Sequence, residues 1–123
     1  MKNNDEQVLM DLKKYLIGEQ LSSVIFVQDY LQLDFDGSCF TAYVFPILNV
    51  EKKSFKFGQA GYRDAICSLI SKKVQDLNLV ENEYFKIIFD SDDNFLIFNL
   101  EANCTKYEKL IFKDIDGGDY FWN

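Results

Sequence analysis

The chain has 123 residues, of which 48% are hydrophobic and 16% aromatic, and its formal net charge is −7. This length and apolar content predict a single folded domain over residues 1–123 and exclude an intrinsically disordered chain. Because the sequence contains no histidine, a Ser-His-Asp triad, a Cys-His dyad and a zinc site with histidine ligands are also excluded.

The first predicted element is an N-terminal helix over residues 5–17. Its apolar residues recur at the spacing that places them on one face of an α-helix, namely Val8, Leu9, Leu12, Tyr15 and Leu16. Lys13 and Lys14 lie in the last turn, where the negative end of the helix dipole favours cations. The helix therefore has one face for a core and one for solvent.

A β-hairpin is predicted after this helix. SSVIFVQ (22–28) is rich in β-branched and aromatic residues, and YLQLDF (30–35) alternates between apolar and polar residues, so both segments predict strands. The dipeptide Asp36-Gly37 indicates a two-residue turn, after which CFTAYVF (39–45) returns as the antiparallel partner. The residues predicted to face the core are Leu31, Leu33 and Phe35.

The rest of the chain predicts a second helix and further strands. Residues 49–60 are predicted as a polar connection with a short strand at SFKF, and residues 61–73 as a helix. VQDLNLV, YFKIIFD and NFLIFNL predict three strands, the last two joined by the turn-forming SDD. Residues 105–111 predict a short helix, and DYFWN predicts an edge strand.

The order of these elements predicts the fold class. Helices at two separated places, with hairpins between them, are typical of α+β domains, whereas alternating βαβ units are not evident. The predicted fold is a mainly antiparallel β-sheet of about six strands, with the N-terminal helix and the central helix packed on it.

The cysteines and the apolar runs predict the cellular compartment. Cys39, Cys67 and Cys104 are odd in number and lack a CxxC pair, so we expect buried free thiols and no disulfide framework. No apolar run approaches the roughly 20 residues of a membrane span. The N-terminal MKNNDEQ lacks the apolar core of a signal peptide. These features predict a cytoplasmic protein that does not contact the membrane.

Acidic side chains are concentrated in a few segments, and no Lys or Arg occurs between Lys14 and Lys52. Nucleic acid binds basic surfaces, so this distribution disfavours a nucleic-acid partner. It favours a basic protein partner, which an acidic surface attracts at long range. The candidate partner-binding residues are Asp29, Asp34, Asp36, Asp90, Asp92 and Asp93.

Asp34 and Asp36 allow three interpretations. Two carboxylates on one strand face can have the separation of a glycosidase acid–base pair. They can also form part of a partner surface, or be solvated side chains beside a turn. We assign no catalytic residue, because an acid–base pair also needs a pKa raised by burial or by its neighbour.

Residues 90–101 resemble part of a calcium-binding loop. Asp90, Asp92, Asn94 and Glu101 occupy positions 1, 3, 5 and 12 of such a loop. Position 6, which requires glycine, is Phe95, and a strand pattern follows it. The segment therefore predicts a hairpin turn, and we predict neither a metal nor a cofactor.

Arg63 is the only arginine of the chain. We expect it to act as a structural clamp that pairs with a carboxylate of the sheet, because a guanidinium holds a carboxylate by two parallel hydrogen bonds. Binding of a ligand is the alternative. The chain also carries three consecutive aromatic residues near its C-terminus, Tyr120, Phe121 and Trp122. We expect their rings to fold onto the core, because an exposed apolar patch is unfavourable. The alternative is that they are exposed and form a protein interface.

Three segments together are similar to a family pattern: FVQDYLQLDFDG (26–37), TAYVFP (41–46) and GYRDAICSLI (61–70). The pattern resembles that of small, acidic bacterial proteins, some of which look like immunity proteins of contact-dependent growth-inhibition and polymorphic-toxin systems. The resemblance implies a non-enzymatic cytoplasmic protein that binds a cognate toxin domain in a 1:1 complex and occludes it. The resemblance assigns no functional role to any individual residue of this chain.

Two other functions remain open from the residues alone. A small-molecule-binding or carboxylate-based enzymatic domain predicts a deep pocket around Asp34 or Asp36. A homo-oligomeric structural subunit predicts pairing of sheet edges between copies of the chain.

Overall fold

The described part of the chain forms two helices and ten strands. The structure, a computed structural model, describes residues 3–101 and 109–122. Its helices are α1 (Asn3–Leu16) and α2 (Tyr62–Cys67). Its strands are β1 (Ser23–Val27), β2 (Tyr30–Phe35), β3 (Ser38–Ala42), β4 (Ile47–Val50), β5 (Lys53–Phe55), β6 (Asp76–Val80), β7 (Tyr84–Ile88), β8 (Phe95–Asn99), β9 (Leu110–Lys113) and β10 (Asp119–Trp122).

These strands form two antiparallel sheets, which confirms the predicted α+β class. The first sheet has the order β1-β2-β3-β9-β10, and the second has the order β5-β4-β8-β7-β6. The prediction of one sheet of about six strands is wrong in number, because sheets with one apolar face bury it by packing against each other. In β2, Leu31, Leu33 and Phe35 are buried, as the alternation predicts.

The sequence predicts that a strand ends at Pro46, and in the structure a further strand, β4, begins directly after it. Pro46 lies between β3 and β4, where the chain crosses from the first sheet to the second. The Tyr62 hydroxyl donates a hydrogen bond of 2.6 Å to the Pro46 carbonyl, and burial raises the pKa of that hydroxyl. Proline therefore separates two strands here. The predicted polar connection, residues 49–60, contains the end of β4 and all of β5, which overlaps the short strand predicted at SFKF.

The second helix is shorter than predicted and ends at Cys67 instead of residue 73. Ser71 adopts a left-handed backbone conformation, with φ of 82°, and its N–H donates to the Leu21 carbonyl at 2.8 Å. The Leu21 N–H in turn donates to the Lys72 carbonyl at 3.1 Å. Backbone hydrogen bonds to a distant segment thus replace the helical ones, which local sequence patterns do not reveal.

The C-terminal region and the thiols also differ from the predictions. Of the predicted helix over 105–111, residues 105–108 lie outside the described part, and the remainder enters β9, which pairs with β3. Cys67 is exposed and Cys39 is half-buried, so the prediction of buried thiols is wrong for Cys67. Cys104 lies outside the described residues.

Phenylalanine rings fill the space between the two sheets. The Phe40 ring of β3 lies 5.5 Å from the Phe85 ring and 6.2 Å from the Phe98 ring of the opposite sheet, measured between centroids. Within its own sheet it lies 4.5 Å from the Phe112 ring. All four side chains are fully buried. Aromatic pairs at these separations attract each other beyond the effect of buried area, so Phe40 couples the sheets.

The helices cover the two sides where the sheets would otherwise be open. α1 packs against β6 of the second sheet, and its Tyr15 hydroxyl donates to Asp116, beside β10 of the first sheet, at 3.0 Å. α2 packs against β1 of the first sheet and β4 of the second. Leu12 and Leu16 of α1 are buried, which confirms the predicted apolar face.

Replacing Phe40 by alanine is expected to lower the free energy of unfolding by about 3–5 kcal/mol, because it leaves a cavity between the sheets. Urea unfolding followed by the fluorescence of Trp122, which stacks on Phe85, measures this. Phe121→Ala is the control, since that ring is 56% exposed, and it should change stability by less than about 0.5 kcal/mol. Equal losses in both variants would contradict the central role of Phe40.

Candidate functional site

The β2–β3 hairpin holds the first pair of candidate aspartates. Asp36 and Gly37 have φ angles of 54° and 116°, which is the left-handed backbone of a two-residue turn and confirms the predicted hairpin. Asp34 is half-buried, and its Oδ1 accepts a hydrogen bond from the Gly37 N–H at 3.3 Å. Asp36 is exposed. Asp34 therefore stabilises the turn, and Asp36 presents its charge to solvent.

The β9–β10 turn lies beside this hairpin. The buried Asp114 accepts hydrogen bonds from the N–H groups of Asp116 and Gly118, each at 2.9 Å to Oδ1. The Ser38 hydroxyl oxygen accepts from the Ile115 N–H at 3.0 Å and so joins the two turns. This arrangement holds the Ile115 side chain 61% exposed, next to the acidic Asp116.

The β7–β8 turn holds the second group of candidate aspartates. Asp90 accepts from the Asn94 side-chain amide at 2.9 Å and forms an ion pair with Lys72 at 3.3 Å. The hydrogen bond from Asn94 lowers the pKa of Asp90, Lys72 lowers it further, and desolvation opposes both. Asp92 and Asp93 are exposed. β8 begins at Phe95, which confirms the predicted hairpin.

A fourth turn, between β4 and β5, lies against the β7–β8 turn. The Asn49 side-chain amide donates to the Asp93 carbonyl at 2.7 Å, and the Glu51 N–H donates to the Asn94 side chain at 2.9 Å. An open depression of about 330 Å³ lies between the two turns. It is lined by Glu51, Lys52, Ser91, Asp93 and Asn94.

The four turns lie at the same end of the two stacked sheets. Phe35, the last residue of β2, stacks on Phe89, which follows β7, with ring centroids 6.4 Å apart. We call the side chains gathered there the acidic end: Asp34, Asp36, Asp90, Asp92, Asp93, Ile115 and Asp116. Ile115 and Asp116 are not among the predicted site residues, although the Asp-x-Asp-Gly-Gly run at 114–118 is a recognisable turn signal.

Asp29 does not belong to the acidic end. It lies in the β1–β2 turn, at the opposite end of β2 from Asp34 and Asp36. Five of the six predicted partner-binding aspartates are therefore brought together, and the sixth is separated from them by the length of the strand.

Arg63 does not pair with a carboxylate of the sheet. Three ion pairs are present among residues 3–101 and 109–122, and Arg63 takes part in none of them. Its guanidinium instead lies 5.2 Å from the centroid of the Phe26 ring. The predicted carboxylate partner is thus wrong, and the contact of α2 with β1 at this point is a cation–π interaction.

The C-terminal aromatic residues divide between the core and the surface. Trp122 stacks on Phe85 with ring centroids 5.8 Å apart, and Tyr120 packs against the core beside Phe112. Phe121 points outward and is exposed. The expectation that these rings fold onto the core is confirmed for Tyr120 and Trp122 and is wrong for Phe121.

Comparisons with known protein families, with curated proteins and with solved structures find no match to this chain. In the part of the chain that the structure describes, neither helix has the length and apolar character of a membrane span.

Tyr15 connects α1 to the acidic end and responds to its charge. The hydrogen bond to Asp116, with smaller contributions from burial and from the charge of Asp114, raises the pKa of Tyr15 from 10.0 to about 12. The folded protein therefore holds this proton more tightly than the unfolded chain does. The contact contributes to stability below the unfolded pKa of 10.0, and the contribution is lost as the pH rises through about 12.

Replacing Asp116 by alanine is expected to lower the pKa of Tyr15 toward 10.0, because the charged acceptor is removed. NMR titration of the protein with ¹³C-labelled tyrosine rings measures it, with Tyr15→Phe to assign the signal. Asp119→Ala is the matched control, since Asp119 pairs with Lys113 instead. If the titration of Tyr15 is the same in both alanine variants, Asp116 is not the cause of the shift.

Proposed function

We propose that this protein is an immunity protein that binds a basic toxin domain through its acidic end and occludes it. The observation that carries the proposal is the gathering of acidic side chains from three turns, distant in sequence, at one end of the sheets. A surface on which one charge sign predominates attracts a partner of the opposite sign during diffusion.

Electrostatic attraction accounts for fast association, and apolar contact accounts for slow release. Steered association reaches about 10⁸–10⁹ M⁻¹s⁻¹ at low salt. Differences in dissociation rate, which set most differences in affinity, come from buried anchors at the centre of an interface. Ile115 suits this role, because it is an exposed apolar side chain held between acidic residues.

The acidic end is also held in place before any partner binds. Asp34, Asp114 and Asn94 each hydrogen-bond within or between the turns that carry the exposed acids. A surface whose loops are already ordered loses less conformational entropy on binding. In the open depression between the β4–β5 and β7–β8 turns, Glu51 and Asp93 outnumber Lys52, so a basic side chain has more acidic than basic neighbours there.

The proposal implies that a gene next to that of this protein encodes the toxin, and the binding experiment uses the purified product of that gene as the probe. The variant Asp36→Asn/Asp92→Asn/Asp93→Asn removes three exposed charges from the acidic end, none of which has a side-chain hydrogen bond to another described residue. Its association rate at low salt is expected to fall about tenfold or more. The difference from wild type should shrink as salt is raised from low to physiological concentration.

The matched control is Asp29→Asn/Glu81→Gln/Glu83→Gln. These three exposed residues lie at the opposite end, in the β1–β2 and β6–β7 turns, so the change in net charge is the same and only its position differs. The control is expected to associate nearly as fast as wild type. Equal losses in both variants, or no complex with the toxin product at all, would overturn the proposal.

A further inference from the structure

A groove lies at the opposite end of the molecule from the acidic end. It has a volume of about 210 Å³ and is lined by Phe26, Val27, Gln28, Phe45, Phe57 and Arg63. Its walls are the end of β1, the crossing between the sheets and the segment that leads into α2. We call it the Arg63 groove.

Aromatic rings form one wall of the Arg63 groove and remain open to solvent. The rings of Phe45 and Phe57 are stacked with centroids 4.0 Å apart, and the edge of Tyr62 meets Phe57 at 5.6 Å. Phe57 is nevertheless 49% exposed. Val27, which also lines the groove, is 38% exposed, and so is Tyr43, two residues before Phe45. Contiguous exposed apolar surface of this kind is typical of binding sites.

Arg63 supplies a positive charge that forms no ion pair with any carboxylate of the described residues. Within the described ranges its guanidinium has no hydrogen bond or ion pair, and it lies over the Phe26 ring. The chain carries 20 acidic and 13 basic residues, and yet no carboxylate among residues 3–101 and 109–122 pairs with its only arginine. A guanidinium packed on a ring keeps the N–H groups along its edge free to hold a carboxylate by two hydrogen bonds.

β1 adds a backbone surface to these side chains. It is an edge strand of the first sheet and pairs with β2 on one side. In the described structure, residues 23–27 make no backbone hydrogen bonds other than those to β2. The exposed Ile25 and Val27 lie along the strand. An unpaired edge with apolar side chains accepts an added strand.

We propose that the Arg63 groove binds an extended peptide segment that carries an acidic side chain beside an aromatic or large aliphatic one. The peptide backbone adds to the edge of β1, its carboxylate binds Arg63, and its apolar side chain packs on Phe45 and Phe57. The charge of Arg63 selects the carboxylate, and the edge strand selects a peptide over a free small acid. This site lies apart from the acidic end and prefers the opposite charge, so it goes beyond the proposed function.

The first experiment selects heptapeptides from a random display library on the immobilised full-length wild-type chain. The expected result is enrichment of sequences with Asp or Glu within two positions of an aromatic or large aliphatic residue. Enrichment should be lost on Phe57→Ala, whose folding is checked by urea unfolding, because Phe57 is a half-exposed wall residue. Absence of enrichment, or enriched sequences without an acidic residue, would overturn the proposal.

The second experiment tests the contact between the carboxylate and Arg63 directly. The most enriched peptide is synthesised with acetylated and amidated ends, so that only side-chain carboxylates remain, together with its acid-to-amide counterpart. Calorimetry is expected to show that wild type binds the amide peptide at least about tenfold more weakly than the acidic peptide. Arg63→Gln should reduce this discrimination to less than about twofold, and Arg63→Lys should restore only part of it.

Lys73→Gln is the matched control, because it removes one exposed positive charge outside the groove. This variant should discriminate between the two peptides as wild type does. The variant Asp36→Asn/Asp92→Asn/Asp93→Asn, which removes three charges from the acidic end, should do the same. If Arg63→Gln discriminates like wild type, the proposal is wrong. It is also wrong if sedimentation shows that a second copy of the chain occupies the groove and that the peptide does not displace it.

Discussion

The contact of the Phe40 ring with Phe85 and Phe98 of the opposite sheet is the interaction on which the rest of the structure depends. Each sheet has one apolar face, and neither can bury it without the other. Once the sheets are stacked, their open sides need cover, which α1 and α2 provide. The stack also determines which turns become neighbours, and therefore which side chains can form a common surface.

The stacking gives the molecule two ends of different chemistry. At one end, three turns carry carboxylates, and the β9–β10 turn among them also exposes the apolar side chain of Ile115. At the other end, the Phe45 and Phe57 rings border the end of β1 together with the Arg63 guanidinium, which forms no ion pair within the described residues. Because the two ends are separated by the length of the strands, a basic partner and an acidic peptide do not compete for the same surface. The two proposed functions therefore use separate surfaces.

Much of the fold could be predicted because it depends on local patterns. The apolar face of α1, the alternation in β2 and the Asp36-Gly37 turn follow from the periods of helix and strand and from the backbone freedom of the turn residues. The second helix was predicted too long, since residues beyond Cys67 bond to the segment around Leu21. β4 was missed because Pro46 indicates the end of a strand but not the start of the next.

The sequence by itself determined the α+β class, most strand positions and the overall negative charge, because these depend on residue type and short-range periodicity. Only the tertiary structure decided which charges act together. It placed five of the predicted aspartates at one end with Asp116, and it separated Asp29 from them. It also placed Arg63 on Phe26 and not on a carboxylate. The physical reason is that these neighbours come from segments distant in the chain, and their proximity depends on how the two sheets stack.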